Sequence, residues 1–565
     1  MRSTIKIVIL LFFICISMSG ASFPDMEKYM RQHALIWEQL PMQWNEGAFL
    51  GNGLVGMMVY ADSTLNALVF HLGRPDVTDH RKAPYRKTSI GTEEADKMVD
   101  FCRLDVGKML LFPEGKILSG TFYLDIYNAE LTGHLKTDKG DLTFHAYTPQ
   151  PEEVNIVEVS SGVPYRWKGI PGNPCSPRIR VFPHLKEKLK YKDNPAPVVN
   201  QKDKEGSWVQ SLLAGGDYAT YWKEVPGGKS RSVLYVSTAN EVPASSLSLA
   251  KAMKTVEATQ ITGTKLLKQK TRQWWNAYHE RSFLSIPDKK LENFYFIQMY
   301  KLATCSHPDG PAMDVMGTFF KLSPWPSFWW NLNIQLTYMP IGPANRMEQG
   351  KNFQRLMDEV FPSLVRSIEP CKIGDYTWAL QNYYMYLRYA GADWQDIKQQ
   401  VVPKALDAFA VFDKILCYKE NTWHLTHIES PEYEGFQKYN DSNYGLASLS
   451  WLLQTLIACH DRTSSTHPDY ARWKEILTRL APYPTNENGL MIAANKPLEK
   501  SHRHYSHLLA FYPFRLLHPD VPENRKFLEK SIEHWLSLED GKGLAGYSYT
   551  GAASLYAYLG NGCLL

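Results

Sequence analysis

Between about residues 40 and 240, apolar and polar positions alternate with a period of two, in runs at 65–72, 121–127, 141–147, 155–159 and 232–237. A strand throws successive side chains to opposite faces, so such runs predict half-buried strands. Gly, Pro, Asn and Asp separate them, and Thr137-Asp138-Lys139-Gly140-Asp141 reads as a turn between two of them. With no helical pattern interleaved, residues 22–243 are expected to form an antiparallel β-sandwich.

Over 244–285 the alternation stops, and Lys, Ala, Gln and Leu recur at helical spacing up to Trp274-Trp275. This stretch reads as a helical linker. Helix-length segments follow near 291–304, 346–368, 377–391, 395–416, 441–460, 468–481, 524–537 and 547–559, joined by loops rich in Pro, Gly, Trp and His. Helix after helix with elaborate loops on one side predicts an (α/α)6 barrel over 286–565. The fold class is therefore multidomain β plus α. No repeat of fixed period is visible, which disfavours a regular solenoid.

Composition narrows the function without naming it. The 565 residues suffice for several cores. The 62 basic and 58 acidic side chains leave a formal charge of +4, with 21% of residues charged. That balance excludes a polyelectrolyte nucleic-acid binder and a charge-driven disordered chain. The 16 Trp, 32 Tyr and 24 Phe make up 13% of the chain, a supply that suits large cores and clefts that stack sugar rings.

Residues 1–21 carry Arg2 and Lys6, a ten-residue apolar run at 7–16, and Ser19-Gly20-Ala21. The pattern reads as a cleaved secretory signal; the run falls well short of the roughly 20 residues a spanning helix needs. The expectation is a secreted or periplasmic protein with no membrane insertion. Leaving out Cys15, the cysteines are Cys102, Cys175, Cys305, Cys371, Cys417, Cys459 and Cys563. Their odd number, wide spacing and lack of a CxxC pair argue against a disulfide framework or structural zinc. Most of them read as buried small apolar residues.

Three loop clusters concentrate polar and aromatic groups. The first is 324–335, with Trp325, Trp329, Trp330, Asn331 and Asn333. In an extended stretch the two asparagines would point the same way, and paired amides can orient a water by donating and accepting together. Alternatively they cap a following helix. The second cluster holds His424, His427, Glu429, Glu432, Tyr433 and Glu434, followed by Asp441. Burial among Pro and aromatic residues would raise a carboxyl and make it a general acid near neutral pH. The plainer alternatives are that Glu434 is solvated and that Asp441 caps the next helix.

The third cluster is Ser501-His502-Arg503-His504-Tyr505-Ser506-His507. His504 and His507 would share a face if a helix has begun. With no HExxH pattern or carboxylate at ligand spacing, donors lining a polyol pocket fit better than zinc, and no metal or cofactor is expected. Further on, Glu539-Asp540-Gly541 supplies another acidic candidate or a solvated turn. No Walker loop, Rossmann fingerprint, GxSxG elbow or catalytic Cys signature appears.

At these clusters the sequence resembles glycoside hydrolase family 95, whose members act on α-L-fucosides and α-L-galactosides, and more loosely related (α/α)6 hydrolases and phosphorylases. The resemblance is carried by residues 44–59 around Gly51-Asn52-Gly53, by Asn331-Leu332-Asn333-Ile334-Gln335 through Pro340, by Ser430-Pro431-Glu432, and by 502–508 with Tyr512-Pro513. It implies an oligosaccharide or polysaccharide-derived glycan as substrate and single-step inverting hydrolysis. Glu432 would be the general acid, Asn331 and Asn333 would position the water, and Asp540 would assist. Trp329, Trp330, Tyr433, His502, Arg503, His504 and His507 would contact the sugar. Two departures bear on the sugar recognised: the segment from His71 through Arg74 to Arg81, and Asn382 where the family has histidine. The chain also stops at Leu565, where the family continues. A phosphorylase of similar fold and a catalytically silent glycan-binding protein are the rival expectations.

Overall fold

The structure, a computed structural model, describes residues 25–79, 102–241, 247–435 and 437–562. The expected signal, Cys15, Cys563, His80 and Arg81 lie outside these residues.

The N-terminal half contains two antiparallel sheets. The larger has nine strands in the order β1-β6-β7-β8-β9-β14-β13-β12-β11, where β1 is Leu35–Trp37, β6 Ile117–Asp125, β7 Glu130–Thr137, β8 Asp141–Tyr147, β9 Val154–Ser161, β11 Val198–Gln201, β12 Glu205–Ser211, β13 Asp217–Gly228 and β14 Arg231–Glu241. The smaller runs β10-β5-β4-β3-β2, from β2 (Ala48–Gly51), β3 (Gly56–Asp62), β4 (Ala67–Gly73), β5 (Lys108–Pro113) and β10 (Tyr165–Ile170). The period-two runs become strands for the expected reason. In β7, Leu131, Gly133 and Leu135 face inward while the residues between them are exposed.

Apolar residues from both sheets form one core, among them Leu50, Val59, Phe70 and Leu111 from the smaller and Phe122, Leu131, Phe144, Trp208 and Trp222 from the larger. Gly133 is needed there, since a Cβ would lie 2.0 Å from the Phe144 ring. The turn at 137–141 joins β7 to β8, with the Thr137 backbone N–H donating to the Gly140 carbonyl at 2.9 Å.

The linker is two helices. α1 (Ser248–Thr262) packs on β13 and β14, then Gly263 at φ 79° breaks the helix, and α2 (Thr264–His279) follows. Trp275 and Tyr278 on α2, with Phe296 and Tyr300 on α3 (Lys289–Cys305), complete the sandwich core. Asp288 caps α3 by accepting from the Lys290 and Leu291 backbone N–H groups. Gly51-Asn52-Gly53 lies at this joint. The Gly53 N–H donates to the Thr304 carbonyl at 2.9 Å, a Cβ on Gly53 would lie 2.3 Å from the Ser306 backbone, and the Asn52 amide donates to the Pro149 and Glu152 carbonyls. The segment is thus a hinge of packing between sandwich and helices, and its glycines are there for close approach.

The helical domain continues with α4 (Asn333–Tyr338), α5 (Lys351–Glu359), α6 (Phe361–Val365), α7 (Ile373–Tyr389), α8 (Trp394–Gln400), α9 (Val402–Phe412), α10 (Asn443–Arg462), α11 (Tyr470–Thr478), α12 (Pro522–Ser537) and α13 (Gly546–Tyr558). Two segments expected as single helices, 346–368 and 395–416, are each broken in two. Pro362 and Pro403 stand in the first turns of α6 and α9, where proline is tolerated but cannot continue a preceding helix. Small two-stranded sheets punctuate the loops, for example Leu416–Lys419 with Thr422–Leu425. No helix among the described residues is long and apolar enough to cross a membrane. Of the described cysteines, all free, Cys102, Cys305, Cys371 and Cys459 are buried, Cys175 is partly buried and Cys417 is exposed.

Candidate active site

The loops that close the ends of α7, α10, α12 and α13 bring the second and third clusters together. The Ser430 and Ser506 hydroxyls are 2.9 Å apart and fully or nearly buried, tying loop 428–434 to loop 501–508. The Trp535 indole donates to the His502 carbonyl at 2.7 Å, and the Ser548 hydroxyl donates to the Arg503 carbonyl at 2.9 Å. Tyr505 lies flat against Gly551, where a Cβ would fall 2.1 Å from its ring. The His-rich loop is therefore clamped by α12 and α13.

Glu432 sits at the meeting point, at φ 58° in the left-handed region. Its Oε2 accepts from the Arg503 guanidinium and lies 3.1 Å from His504 Nε2. The carboxyl side chain is 10% exposed, Arg503 50% and His504 2%. Burial works to raise Glu432, yet the His504 hydrogen bond and the neighbouring His504 and Arg503 charges outweigh it and hold it below the ordinary carboxylate range. The expectation that burial would raise one carboxyl of this cluster is met at Glu429 and not at Glu432, where the cation partners decide the sign.

Among the carboxyls that burial does raise is Asp375, in the first turn of α7. It is 6% exposed and is pushed up to about 7 by burial, against a 2.7 Å hydrogen bond donated by Tyr444 and with the Glu429 and Glu432 charges adding to the rise. Glu429 is buried and raised as well, chiefly by burial, with Cys371 Sγ 3.5 Å from its Oε1. Sequence reasoning missed Asp375 because nothing around Gly374-Asp375-Tyr376 marks it; the available signal was an acid in an otherwise apolar helix start.

The first cluster is not extended. Asn331 precedes a turn, Leu332 has φ 52°, and Asn333 opens α4, with the Asn333 N–H donating to the Asn331 carbonyl at 2.6 Å. The strand argument for parallel amides therefore fails, and neither side chain caps α4. Asn331 is 4% exposed and its side-chain oxygen has no protein partner. From α4, the Gln335 amide donates to the Asp375 carbonyl at 2.8 Å, and Trp330 stacks on Tyr376 at 5.3 Å. These contacts join the asparagine segment to the start of α7.

Several expected sugar contacts are packing residues. Trp329 and Trp330 are 3% and 0% exposed; Trp325 is the exposed indole of that loop. Tyr433 is 1% exposed, and its hydroxyl accepts from the Glu499 N–H at 3.0 Å. His507 is buried and pushed down to about 3 by burial, so it is a neutral interior group and does not share a helical face with His504. His502, pushed down to about 4 mainly by burial, stacks on His504 at 5.1 Å with Nε2 3.2 Å from the Pro431 carbonyl. Arg503 alone in this cluster combines exposure with charge.

The acidic pair at 539–540 touches the site through the other residue: Glu539 accepts from the Ser501 N–H at 2.9 Å, while Asp540 is exposed on a left-handed turn at φ 55°. Asp441 pairs with His424 at 2.7 Å instead of capping α10, which Ser442 caps, and Glu434 is held by Lys496 at 3.0 Å rather than merely solvated. Arg74, from the departing segment, is buried and bound to Asp76, Glu153 and the Thr238 carbonyl. A cleft of about 650 Å³ lies apart from Glu432, between the sandwich edge and α3, lined by Trp44, Phe49, Lys301, Phe319 and Lys321 among others.

Residues 368–563 match the Glycosyl hydrolase family 95 catalytic domain. Over that stretch the chain resembles the glycoside hydrolases of family 95. The matched stretch contains Asp375, Glu432, Arg503 and His504, whereas the asparagine segment lies before it. Among solved structures, a protein assigned as a kojibiose phosphorylase from the human microbiome is 9% identical over 94% of this chain and 84% of its own, with a TM-score of 0.64. The likeness establishes the shared sandwich-and-helix fold. Lower in score are a bacterial glucoamylase complexed with acarbose (10% identity, 79% of this chain, 69% of that one, TM-score 0.43) and a family 92 α-mannosidase from Bacteroides thetaiotaomicron (9%, 91%, 76%, 0.38). No curated protein matches this chain.

Proposed function

We propose that this protein is an exported, exo-acting glycosidase that removes a terminal α-L-fucosyl or α-L-galactosyl residue from oligosaccharides with inversion. The observation that carries the reading is Glu432, a mostly buried carboxyl bridged by Arg503 and His504 within the matched domain. In the reaction Glu432 gives its proton to the leaving glycosidic oxygen, and a water attacks the anomeric carbon from the opposite face. Inversion requires the acid and the water-activating group to stand roughly 6.5–9.5 Å apart, leaving room for that water. The unpartnered Asn331 side-chain oxygen, with Asn333 beside it, is suited to accept from the water and orient it. Export rests on the charged, apolar and small-residue pattern of positions 1–21.

The half-exposed Arg503 also favours a second reading, a phosphorylase in which phosphate takes the place of water, since a free guanidinium face suits that anion. One experiment separates the readings: natural oligosaccharides and α-L-fucosides are incubated with and without phosphate, and the anomer first released is read by NMR. Inverted free sugar formed without phosphate, and lost in Glu432→Gln, supports the hydrolase. Phosphate-dependent sugar phosphate favours the second reading, and binding without turnover favours a silent glycan-binding protein.

A further inference from the structure

The cleft of about 650 Å³ between the sandwich edge and α3 takes no part in the scheme above, and none of its lining residues belongs to the loops that meet around Glu432. Its walls are fixed by close backbone packing and a buried ion pair. The turn Trp44–Glu46 enters β2 through Gly47, where a Cβ would fall 2.8 Å from the Val59 carbonyl oxygen. Gly317 lies so close to α3 that a Cβ would fall 2.4 Å from Cys305 Sγ. Behind the 313–323 wall, Arg103, 1% exposed, donates to the Gly317 carbonyl at 2.5 Å and to the two Asp314 carboxylate oxygens at 3.3 and 3.2 Å. Asp314, the carboxylate in the lining, is thereby paired.

The cleft presents aromatic faces, cations and neutral hydrogen-bonding groups together. Lys321 Nζ stands 5.4 Å from the centre of the Trp44 ring and Lys301 Nζ 5.8 Å from that of Phe49, whose ring meets Phe319 edge-on at 5.9 Å. Both lysines are exposed, and neither forms an ion pair with a described residue. The indole N–H of the half-buried Trp44 has no protein partner. Asn45, Gln298, Ser323 and Thr337 add amides and hydroxyls to the lining. A pyranose lays its C–H face on an aromatic ring and directs its hydroxyls to such groups, and an acidic substituent on it is matched by an ammonium. The volume falls within the range of roughly 300–1,000 Å³ usual for small-ligand pockets. We propose that this cleft is a second saccharide site, apart from Glu432, that binds an anionic oligosaccharide bearing a carboxylate or sulfate group. Lysine acts as a compact point charge and suits a singly charged substituent. A phosphate would call for a guanidinium fork, and the arginine behind the wall is already bound to Asp314. The inference stands whether or not Glu432 drives hydrolysis.

The test is calorimetric titration of the full chain with a galacturonic acid trisaccharide, a sulfated disaccharide from chondroitin, and neutral cellotriose as control. At least one acidic probe should bind about tenfold or more tightly than cellotriose, and its affinity should fall about threefold or more between about 20 and 200 mM salt. Which acidic probe is held distinguishes carboxylate from sulfate recognition. Lys301→Gln and Lys321→Gln should each weaken that binding by about five- to tenfold and leave the melting temperature unchanged, since both side chains are exposed. Trp44→Phe keeps a ring but loses the N–H, and should weaken binding less than Trp44→Ala does. Glu432→Gln should bind as wild type does. Equal affinity for cellotriose, no binding of either acidic probe, or lysine variants that bind like wild type overturn the proposal. Binding lost in Glu432→Gln and kept in the lysine variants would put the acidic sugar at Glu432 and overturn it as well. The hydrolase reading stands or falls separately, on the turnover assay.

Discussion

Glu130 in the sandwich and Glu432 in the helical domain are built alike. Each is a nearly buried glutamate flanked by one arginine and one histidine: Arg272 NH2 and His145 Nε2 stand 2.7 and 2.9 Å from Glu130, and Arg503 and His504 meet Glu432. Both carboxyls are held down by these partners against the pull of burial, Glu130 to about 2. Their surroundings differ. Glu130 opens a regular strand and fastens α2 to the large sheet, whereas Glu432 sits on left-handed loop backbone among two further carboxyls that burial raises, Asp375 and Glu429. A paired carboxylate is therefore no mark of a site by itself. The mark is the unspent proton nearby.

The comparison breaks most sharply under charge-neutral substitution. Glu432→Gln should lower kcat by about 10²–10⁴, the usual worth of a positioned proton donor, besides weakening its own buried charge-assisted pair. Glu130→Gln should keep turnover within twofold while losing about 1–3 kcal/mol of stability in a denaturant titration, because it too weakens a buried charge-assisted pair. Equal effects of the two on activity would remove the distinction.

Next in size are two glycines that each lie against an aromatic ring, Gly133 under Phe144 and Gly551 under Tyr505. Alanine at either forces a ring to move and should cost about 1–3 kcal/mol. Only Gly551→Ala should also reduce turnover, since Tyr505 lies between His504 and Ser506 in the loop that holds Glu432. Thermal melts and kcat/KM on the same preparations check both.

The fold was open to sequence reasoning wherever one physical pattern governed a long stretch. Residues 141–147 alternate and become β8 with the same bounds, and 291–304 becomes most of α3. What escaped depended on contacts distant in sequence. Asn331 and Asn333 look like a pair on an extended strand until Trp330 stacks on Tyr376 and the chain turns into α4. Trp329, Trp330 and Tyr433 read as sugar platforms because aromatic residues in loops and in cores have the same letters; burial alone distinguishes them. Asp375 was invisible because its protonation depends on Tyr444 and Glu429, 69 and 54 positions away by residue number.

Acid should separate the regions more gently. His279 in the linker and His507 in the helical domain are each pushed down to about 3 and His502 to about 4, all chiefly by burial. A histidine depressed in the fold contributes stability that is present above its unfolded value, about 6.5, and is lost as pH falls toward the folded one. The melting temperature should therefore drop steadily from pH 6.5 to 4. His507→Asn should flatten that slope, and an unchanged slope would mean that His507 is already solvated in the fold.

The smallest expected effect tests the acidic pair at 539–540. Both residues have left-handed backbone, so the turn itself places one side chain toward the His-rich loop and the other toward water. Glu539 takes the first role by accepting from the Ser501 N–H, and its replacement by Gln keeps an acceptor there. Asp540 is exposed, and Asp540→Asn should change stability by less than about 0.5 kcal/mol and turnover by less than twofold. Asparagine tolerates the left-handed region as well as aspartate does, so backbone strain does not cloud the result. A fall in kcat comparable to that of Glu432→Gln would instead make Asp540 the group that activates the water, and would require the turn to swing toward Glu432 when sugar binds.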